Sequence, residues 1–331
     1  MPDFSRAAVS IVIRSYNGRM LLAECLPSVL DAVAFRANPR DEIIVADDGS
    51  TDGTLEFLRQ AFPSVKVARS EKNIGAPAAA NIAFRKCGNG IIAMLDNDVK
   101  VEKDFLEWAT PHFNEPDVFG VMMRSLAFDK TTFRSGGQVG RFKRGFLRAW
   151  ENYDIPDRDS NPLVLAHKLD SLYGVGAQVV YRGEMLHRLG GLDPIFFPTY
   201  WDDTDVCYRA WKRGWATRYE PRSLVYHKLH GTAGKLSGSQ NMLLASERNR
   251  LIFHWKNLSD PPLLLQHFIS LFFRLVFSVV TLKKSFLSPF AQAVRMLPEI
   301  LAKRAEEKKH RVLSDREILR RPIETLRKLG E

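Results

Sequence analysis

Cysteine is scarce: Cys25, Cys87 and Cys207 are the only three in 331 residues. Their number is odd, they lie far apart and no CxxC spacing occurs. Neither a disulfide framework nor a zinc site is supported, and a reducing cytosol is the expected home. No GxGxxG follows the first β-branched run, where Ser15-Tyr16-Asn17-Gly18 stands instead. The fingerprint of a Rossmann-type oxidoreductase is therefore missing. Internal repeats and low-complexity linkers are also missing. Residues 1–8 are short and mixed ahead of a first core run at 9–13, which does not read as a signal peptide. Only one long hydrophobic run occurs, at residues 263–282.

What is present suggests a globular α/β protein. The length suggests roughly two units, and an apolar fraction of 45% is ample for a sizeable core. The net charge of +10 favours an anionic partner, with nucleic acid, anionic lipid and a phosphorylated substrate all open on this ground. Candidate strands at 9–14, 42–46, 65–69 and 90–95 alternate with helical stretches at 21–34, 55–61 and 76–87. That alternation predicts βαβ units and a mainly parallel sheet flanked by helices, with ligands beyond the carboxyl ends of the strands. After Phe119 the pattern loosens. Strands or loops are expected at 120–128 and 134–142, a strand at 174–182, helices at 184–189 and 203–213, and two short extended runs within 215–226. From Gln240 the chain reads as helical.

Three acidic clusters follow predicted strands or open predicted helices. Asp47-Asp48-Gly49-Ser50-Thr51-Asp52-Gly53-Thr54 offers helix caps at Ser50, Thr51 or Asp52, and places Asp47 at a strand end where a nucleobase or ribose could donate to it. Asp96-Asn97-Asp98 follows the apolar run 91–95. Two carboxylates at i and i+2 suit a hard divalent cation with open positions for substrate phosphates, whereas the plain alternative is a solvated turn. Tyr200-Trp201-Asp202-Asp203-Thr204-Asp205 opens a helix, where acids are favoured by the macrodipole. Three acids beside two aromatics exceed what a cap requires, and suit gripping and deprotonating a sugar hydroxyl.

In order along the chain stand VSIVIRSYNG, IIVADDGSTDGTLEFL, NIGAPAAAN, IIAMLDNDV, GGLDPIFFPTYWDDTDVCYRAWKRGW and VYHKLHGT. This series resembles glycosyltransferase family 2, particularly bacterial rhamnosyl- and galactofuranosyl-transferase-like members with the GT-A fold. The resemblance covers residues 9–232. It implies an inverting, metal-dependent transfer from a UDP- or dTDP-linked sugar to a saccharide or lipid-linked acceptor in cell-surface polysaccharide synthesis.

Site residues follow from the resemblance position by position. Ser15, Tyr16 and Asn17 would hold the nucleotide and Asp47 the base. Asn73, Gly75 and Asn81 match the segment that closes over the nucleotide. Asp96 would contact the ribose or donor sugar, while Asp98 would ligate Mn²⁺ or Mg²⁺, with His227 completing the metal site and His230 as a lesser alternative. Asp203 matches the general base, Asp202 would orient the acceptor and Trp201 would stack on a sugar face. Asp202 stands where the family often has Glu, and Arg14 where a small or hydroxyl residue is commoner. Arg14 is open between a salt-bridge partner and a phosphate contact. His227 is equally open between a ligand, which would favour Mn²⁺, and a histidine satisfied within the fold.

The expected layout is a catalytic domain at 1–240, with a nucleotide-sugar half to about 120 and an acceptor half beyond it, followed by a helical extension at 241–331. Residues 263–282 are long enough to span a bilayer, but Gln266, Ser270, Arg274 and Ser278 recur every fourth residue as a polar stripe. A central Arg is costly in a lone spanning helix. With Lys283, Lys284 and later basic residues alongside, the pattern suits a helix lying on the cytoplasmic face of an anionic membrane. Packing in the core or in a dimer is the alternative. The basic tail has no base-stacking or DNA-binding pattern, so no nucleic-acid partner is expected. A non-catalytic nucleotide-sugar-binding or membrane scaffold of the same fold is the competing reading of the whole.

Overall fold

The computed structural model describes residues 4–228 and 240–330. Its centre is a mixed sheet built from β1 (Val9–Ser15), β2 (Glu42–Asp47), β3 (Lys66–Arg69), β4 (Ile91–Asp96), β5 (Val99–Val101), β6 (Val118–Leu126), β7 (Phe133–Ser135), β10 (Gln178–Arg182) and β11 (Ala216–His227). The order is β3-β2-β1-β4-β10-β6-β11-β5, with β7 paired to β6. The four N-terminal strands run parallel, and β10 is antiparallel to both β4 and β6. A separate hairpin is formed by β8 (Gly137–Lys143) and β9 (Phe146–Tyr153).

The central strands are apolar on both faces because both faces are covered. Along β1, Ile11 and Ile13 enter one core with Leu22, Leu26 and Val29 of α1 (Arg19–Arg36). Val12 points the other way, into a core shared with Ala80 and Ala83 of α3 (Ala76–Phe84). This is the two-residue alternation of a strand.

The sequence expectations for the first third hold closely, with local differences that have physical causes. The helix after the first acidic cluster, α2 (Thr54–Ala61), takes Gly53 at φ +81° as its N-cap, so none of Ser50, Thr51 and Asp52 occupies that place. Asp52 accepts from the Thr54 N–H instead. The strand expected at 174–182 starts only at Gln178. The two short runs expected within 215–226 are one strand, β11, with a register shift between Glu220 and Leu224. Pro221 lies in that interval, and a residue without an N–H belongs at such a break.

Short helices α4 (Phe105–Ala109), α5 (Pro162–Leu165) and α6 (Gly183–Arg188) precede the longer α7 (Asp202–Lys212). The C-terminal region is helical as expected: α8 (Gln240–Asn257), α9 (Pro261–Val280), α10 (Lys284–Arg295), α11 (Leu297–Lys309) and α12 (Asp315–Leu329). These helices share the sheet's core. Leu251, Ile252 and Phe253 of α8 lie in one cluster with Val206, Tyr208 and Trp211 of α7.

A buried ionic network reinforces that seam. Asp205 accepts from Arg209 at 2.7 Å and from Lys256 at 2.9 Å, and Lys256 also reaches Asp193 at 2.6 Å. The third acid of the Asp202-Asp203-Thr204-Asp205 run is therefore a structural anchor.

Helix α9 is oriented opposite to a soluble amphipathic helix. Three of the four stripe residues face the protein, Gln266 being exposed: Arg274 pairs with Glu247 at 3.1 Å, Ser270 lies against Gly145 and Ser278 is buried. Its outer face exposes Leu265, Phe268, Ile269, Phe272, Phe273, Val276 and Phe277. Among the described residues it is the one helix long and apolar enough to cross a membrane, and little of it is buried.

Candidate active site

The parallel ladder itself assembles the first half of the site. Register places Ser15 beside Asp47 and Arg14 beside Asp96, so the ends of β1, β2 and β4 form one rim. Ser15 Oγ accepts from Asn97 Nδ2 at 3.0 Å. The rim lines a cleft of about 140 Å³ that includes Arg14, Ser15, Tyr16, Asp48, Asn73, Gly75, Asp96, Asn97 and Asp98, with Pro198, Thr199 and Met242 on the opposite wall.

That opposite wall is set by the C-terminal helices. Asn249 of α8 donates through Nδ2 to the carbonyls of Phe196 and Thr199, each at 3.0 Å. Gly75 has φ +90°, and a Cβ there would stand 2.7 Å from the Phe197 ring. Glycine is required at Gly75 both by the left-handed backbone and by this close approach.

Arg14 resolves as a salt-bridge residue. Its Nε lies 2.7 Å from Asp96 Oδ1 and its Nη1 3.2 Å from Asp202 Oδ2. Burial opposes the charged guanidinium, but Asp96 and Asp202 more than offset this and raise its pKa. Asp203 stands next to this pair. The Gly176 N–H donates to its Oδ2 at 3.0 Å and the Thr204 N–H to its Oδ1 at 2.6 Å. Burial raises the Asp203 pKa, partly countered by these two donors. Asp202 is pushed up to about 7, first by burial and then by the neighbouring Asp203 charge, with Arg14 acting against both.

Several sequence assignments are corrected by the geometry. Asp47 is fully buried. Its Oδ1 accepts from the Ser50 N–H at 3.1 Å and its Oδ2 lies 3.4 Å from Arg69, so it does not face the cleft. Asp48 does, while receiving the Ile74 and Gly75 N–H groups at 2.7 and 3.0 Å. Side-chain parity on β2 explains the exchange, since Ala46 and Asp48 share one face and both line the cleft. That parity was the available signal.

Asn17 and Asn81 are structural. The Asn17 N–H donates to Ser50 Oγ at 2.8 Å and its Oδ1 accepts from the Thr51 N–H at 2.8 Å. It thereby braces the first acidic loop. Asn81 exchanges two hydrogen bonds with the Leu192 backbone, 111 positions away. Trp201 does not present a stacking face: it is 6% exposed and packs against Phe253 at 5.0 Å and His254 at 6.0 Å. Asp202, expected to orient the acceptor, is 2% exposed and turned to Arg14.

The candidate metal ligands come from two elements. His227 ends β11 opposite Val99 of β5, and its Nε2 lies 3.3 Å from Asp98 Oδ1. That oxygen is buried without a hydrogen-bond partner. Burial disfavours the imidazolium, yet the Asp98 carboxylate outweighs it and raises the His227 pKa. An orphaned carboxylate oxygen beside an imidazole at the cleft wall, with Asp96 two residues away, is a donor set that fits Mn²⁺. His230 lies outside the described residues. A second group of possible ligands, His112, His167 and Glu220, lies outside the cleft, and Arg222 already forks onto Glu220 at 2.8 Å.

Comparison with known proteins agrees with this geometry. The profile of Glycosyl transferase family 2 matches residues 10–166. A Bacillus subtilis glycosyltransferase ascribed to teichuronic acid biosynthesis is 33% identical over 159 residues, which is 47% of this chain and 58% of that protein. The N-acetylglucosaminyl-diphospho-decaprenol L-rhamnosyltransferase of Mycobacterium tuberculosis is 25% identical over 213 residues, 57% of this chain and 67% of that one. The chain thus spans less than two thirds of the first of these relatives. A mannosyltransferase from Pyrobaculum calidifontis, solved with GDP-Man and Mn²⁺, superposes with a TM-score of 0.53 at 16% identity, over 93% of this chain and 88% of that one. This likeness speaks for the fold.

Proposed function

The chain belongs to glycosyltransferase family 2, and on that premise we propose that it transfers a sugar with inversion from a UDP- or dTDP-linked donor to a saccharide or lipid-linked acceptor. The observation that carries this is the meeting, through Arg14, of a donor-side carboxylate, Asp96, with the acidic start of α7. The relatives named for teichuronic acid biosynthesis and for rhamnosyl transfer to a lipid diphosphate support cell-surface polysaccharide as the setting.

Roles follow from position. The cleft of about 140 Å³ is smaller than the ~300–1,000 Å³ of ligand pockets, so it fits part of the donor. Asp48, Asn73 and Tyr16 face that part. A divalent cation held by Asp98 and His227 would neutralise the charge that develops on the diphosphate. Asp203, beside the Arg14–Asp202 pair, is the group we assign to take the acceptor proton. Unlike Asp202 it is not consumed by an ion pair, it is partly exposed, and its raised pKa makes it a stronger base than an ordinary carboxylate. One base opposite the leaving group corresponds to a single displacement.

The outward apolar face of α9, followed by Lys283 and Lys284, supports peripheral attachment to the cytoplasmic face of an anionic membrane, where a lipid-linked acceptor would be met. A panel of UDP- and dTDP-sugars, scored for Mn²⁺-dependent binding and for transfer, tests the function. Binding without any transfer or donor hydrolysis across the panel would favour the non-catalytic scaffold.

A further inference from the structure

The C-terminal helices enclose a second cavity, of about 510 Å³, between α8, α9, α10 and α11. Leu264, Phe268, Leu271, Phe290, Leu297 and the Trp255 ring form its walls, and Arg304 is the one charged residue lining it. Phe268 is also 53% exposed on the outer face of α9, so the cavity is continuous with that apolar surface.

Arg304 lines a neighbouring cavity of about 350 Å³ as well, together with Lys308 and Arg311. Lys212 and Lys256 lie there too, but they are committed to Asp315 and to the Asp193–Asp205 pair. The two carboxylates of the lining, Asp260 and Glu307, are likewise committed, to Arg316 at 3.5 Å and to Arg213 at 2.6 Å. Lys308 and Arg311 are exposed and have no ion-pair partner among the described residues. Arg304 donates to the Trp255 carbonyl at 2.8 Å, and burial lowers its pKa. The Asp315 carboxylate acts on it only in part against that burial, and a half-buried guanidinium whose one hydrogen bond here is to a carbonyl can still accept an anion.

The chemistry of the walls selects the occupant. A peptide entering the larger cavity would bury backbone N–H and C=O groups against walls that offer almost nothing to bond them. The Trp255 indole N–H is already given to His267 Nε2 at 3.1 Å. A hydrocarbon chain has no such groups, and an anionic head at the chain's end would meet Arg304, Lys308 and Arg311.

We propose that this paired groove takes one anionic phospholipid, its chain in the apolar cavity and its phosphate on Arg304, Lys308 and Arg311. The site is separate from the donor cleft. It deepens the membrane-surface reading and rests on it, because the lipid enters from the face that α9 turns outward. A lipid drawn part-way out of a bilayer would fix the rotational setting of the catalytic rim above the membrane, beyond what a smooth apolar face can do.

The test uses the full chain and short-chain phosphatidylglycerol with brominated tails, held below its micelle concentration. Saturable quenching of tryptophan fluorescence is expected, and Trp255→Phe removes most of it. Lys308→Gln with Arg311→Gln, both surface changes, weakens binding about tenfold or more, and brominated phosphatidylcholine binds more weakly than the glycerol lipid. Equal quenching by the two lipids, or wild-type affinity in the double variant, overturns the proposal. Sedimentation with phosphatidylglycerol vesicles separates the two readings. Pelleting without Trp255 quenching in brominated vesicles overturns the groove and leaves surface attachment standing. Saturable quenching without pelleting supports the groove as a lipid site and overturns surface attachment, and with it the orienting role that rests on it.

Discussion

Arg14 Nη1 lies 3.2 Å from Asp202 Oδ2, joining the end of the first strand to the first turn of a helix 188 positions later. The same guanidinium holds Asp96. The strand-end rim and the acidic start of α7 are therefore one electrostatic unit, and Gly176, whose Cβ would stand 2.7 Å from Arg14 Nη2, leaves room for it.

Removing the guanidinium isolates a buried carboxylate. Arg14→Met is expected to destabilise the fold by about 3 kcal/mol at pH 8. The loss shrinks at pH 6, where Asp202, already pushed up to about 7, can be neutral and needs no partner. Urea melts at the two pH values give the comparison, and equal losses would contradict the pairing.

Asp203→Asn should lower transfer by about 10²–10⁴-fold while UDP or dTDP binding, measured by calorimetry, stays within error. Near-normal turnover in this variant would remove the base assignment.

The Asp202 shift has a defined sign. Burial raises its pKa from 3.8 to about 7, so between those values the folded chain holds a proton that the unfolded chain has lost. This group's contribution to stability therefore falls as pH rises from about 4 to about 7, and is constant above. Asp202→Asn should flatten that part of the stability–pH curve, whereas an unchanged slope would place the titration elsewhere. Transfer has the opposite trend, rising with pH in the range where the raised Asp203 carboxyl ionises.

Trp201 separates packing from recognition. Trp201→Ala should cost about 3–5 kcal/mol, because the indole fills the space between α7 and Phe253 of α8. Trp201→Phe should keep the acceptor KM close to that of the parent. A large KM rise in a stably folded Trp201→Phe would restore the sugar-stacking role.

Metal removal is the fifth expectation. EDTA should stop transfer, and added Mn²⁺ should restore it. His227→Ala should weaken Mn²⁺ binding by about tenfold or more and Mg²⁺ binding less, since imidazole suits the softer ion. Calorimetric titration of each metal, in the absence of donor, reads this directly. Full activity in EDTA would take the metal out of the reaction.

Much of this protein is written locally. The runs 9–14, 42–46 and 90–95, short, largely apolar and bounded by turn residues, read as buried strands, and they are. The parallel order follows from the helices between them, and with it the convergence of Ser15, Asp96 and Asp98 on one rim. Residues whose neighbours lie close in sequence were legible for the same reason.

Which side of a rim a carboxylate faces was not decided locally. Asp47 and Asp48 differ by one position, and strand parity sends one into the fold and the other to the cleft. The identity of a distant partner is likewise absent from any local pattern. Arg14 has no acid within reach in its own segment, Asn81 finds its partner at Leu192, and Trp201 finds a core in α8. The polar stripe on α9 is visible in the sequence, but its direction depends on Glu247 and Gly145, which only folding brings near.

The sequence by itself determined the α/β order, the carboxylate clusters and the family resemblance, because these rest on periodicity and short spacing. The tertiary structure alone decided that Arg14 binds the two halves of the site together and that the apolar face of α9 turns outward. Both depend on contacts across more than a hundred residues or between separate helices, where the energy resides in pairing and burial that no segment carries on its own.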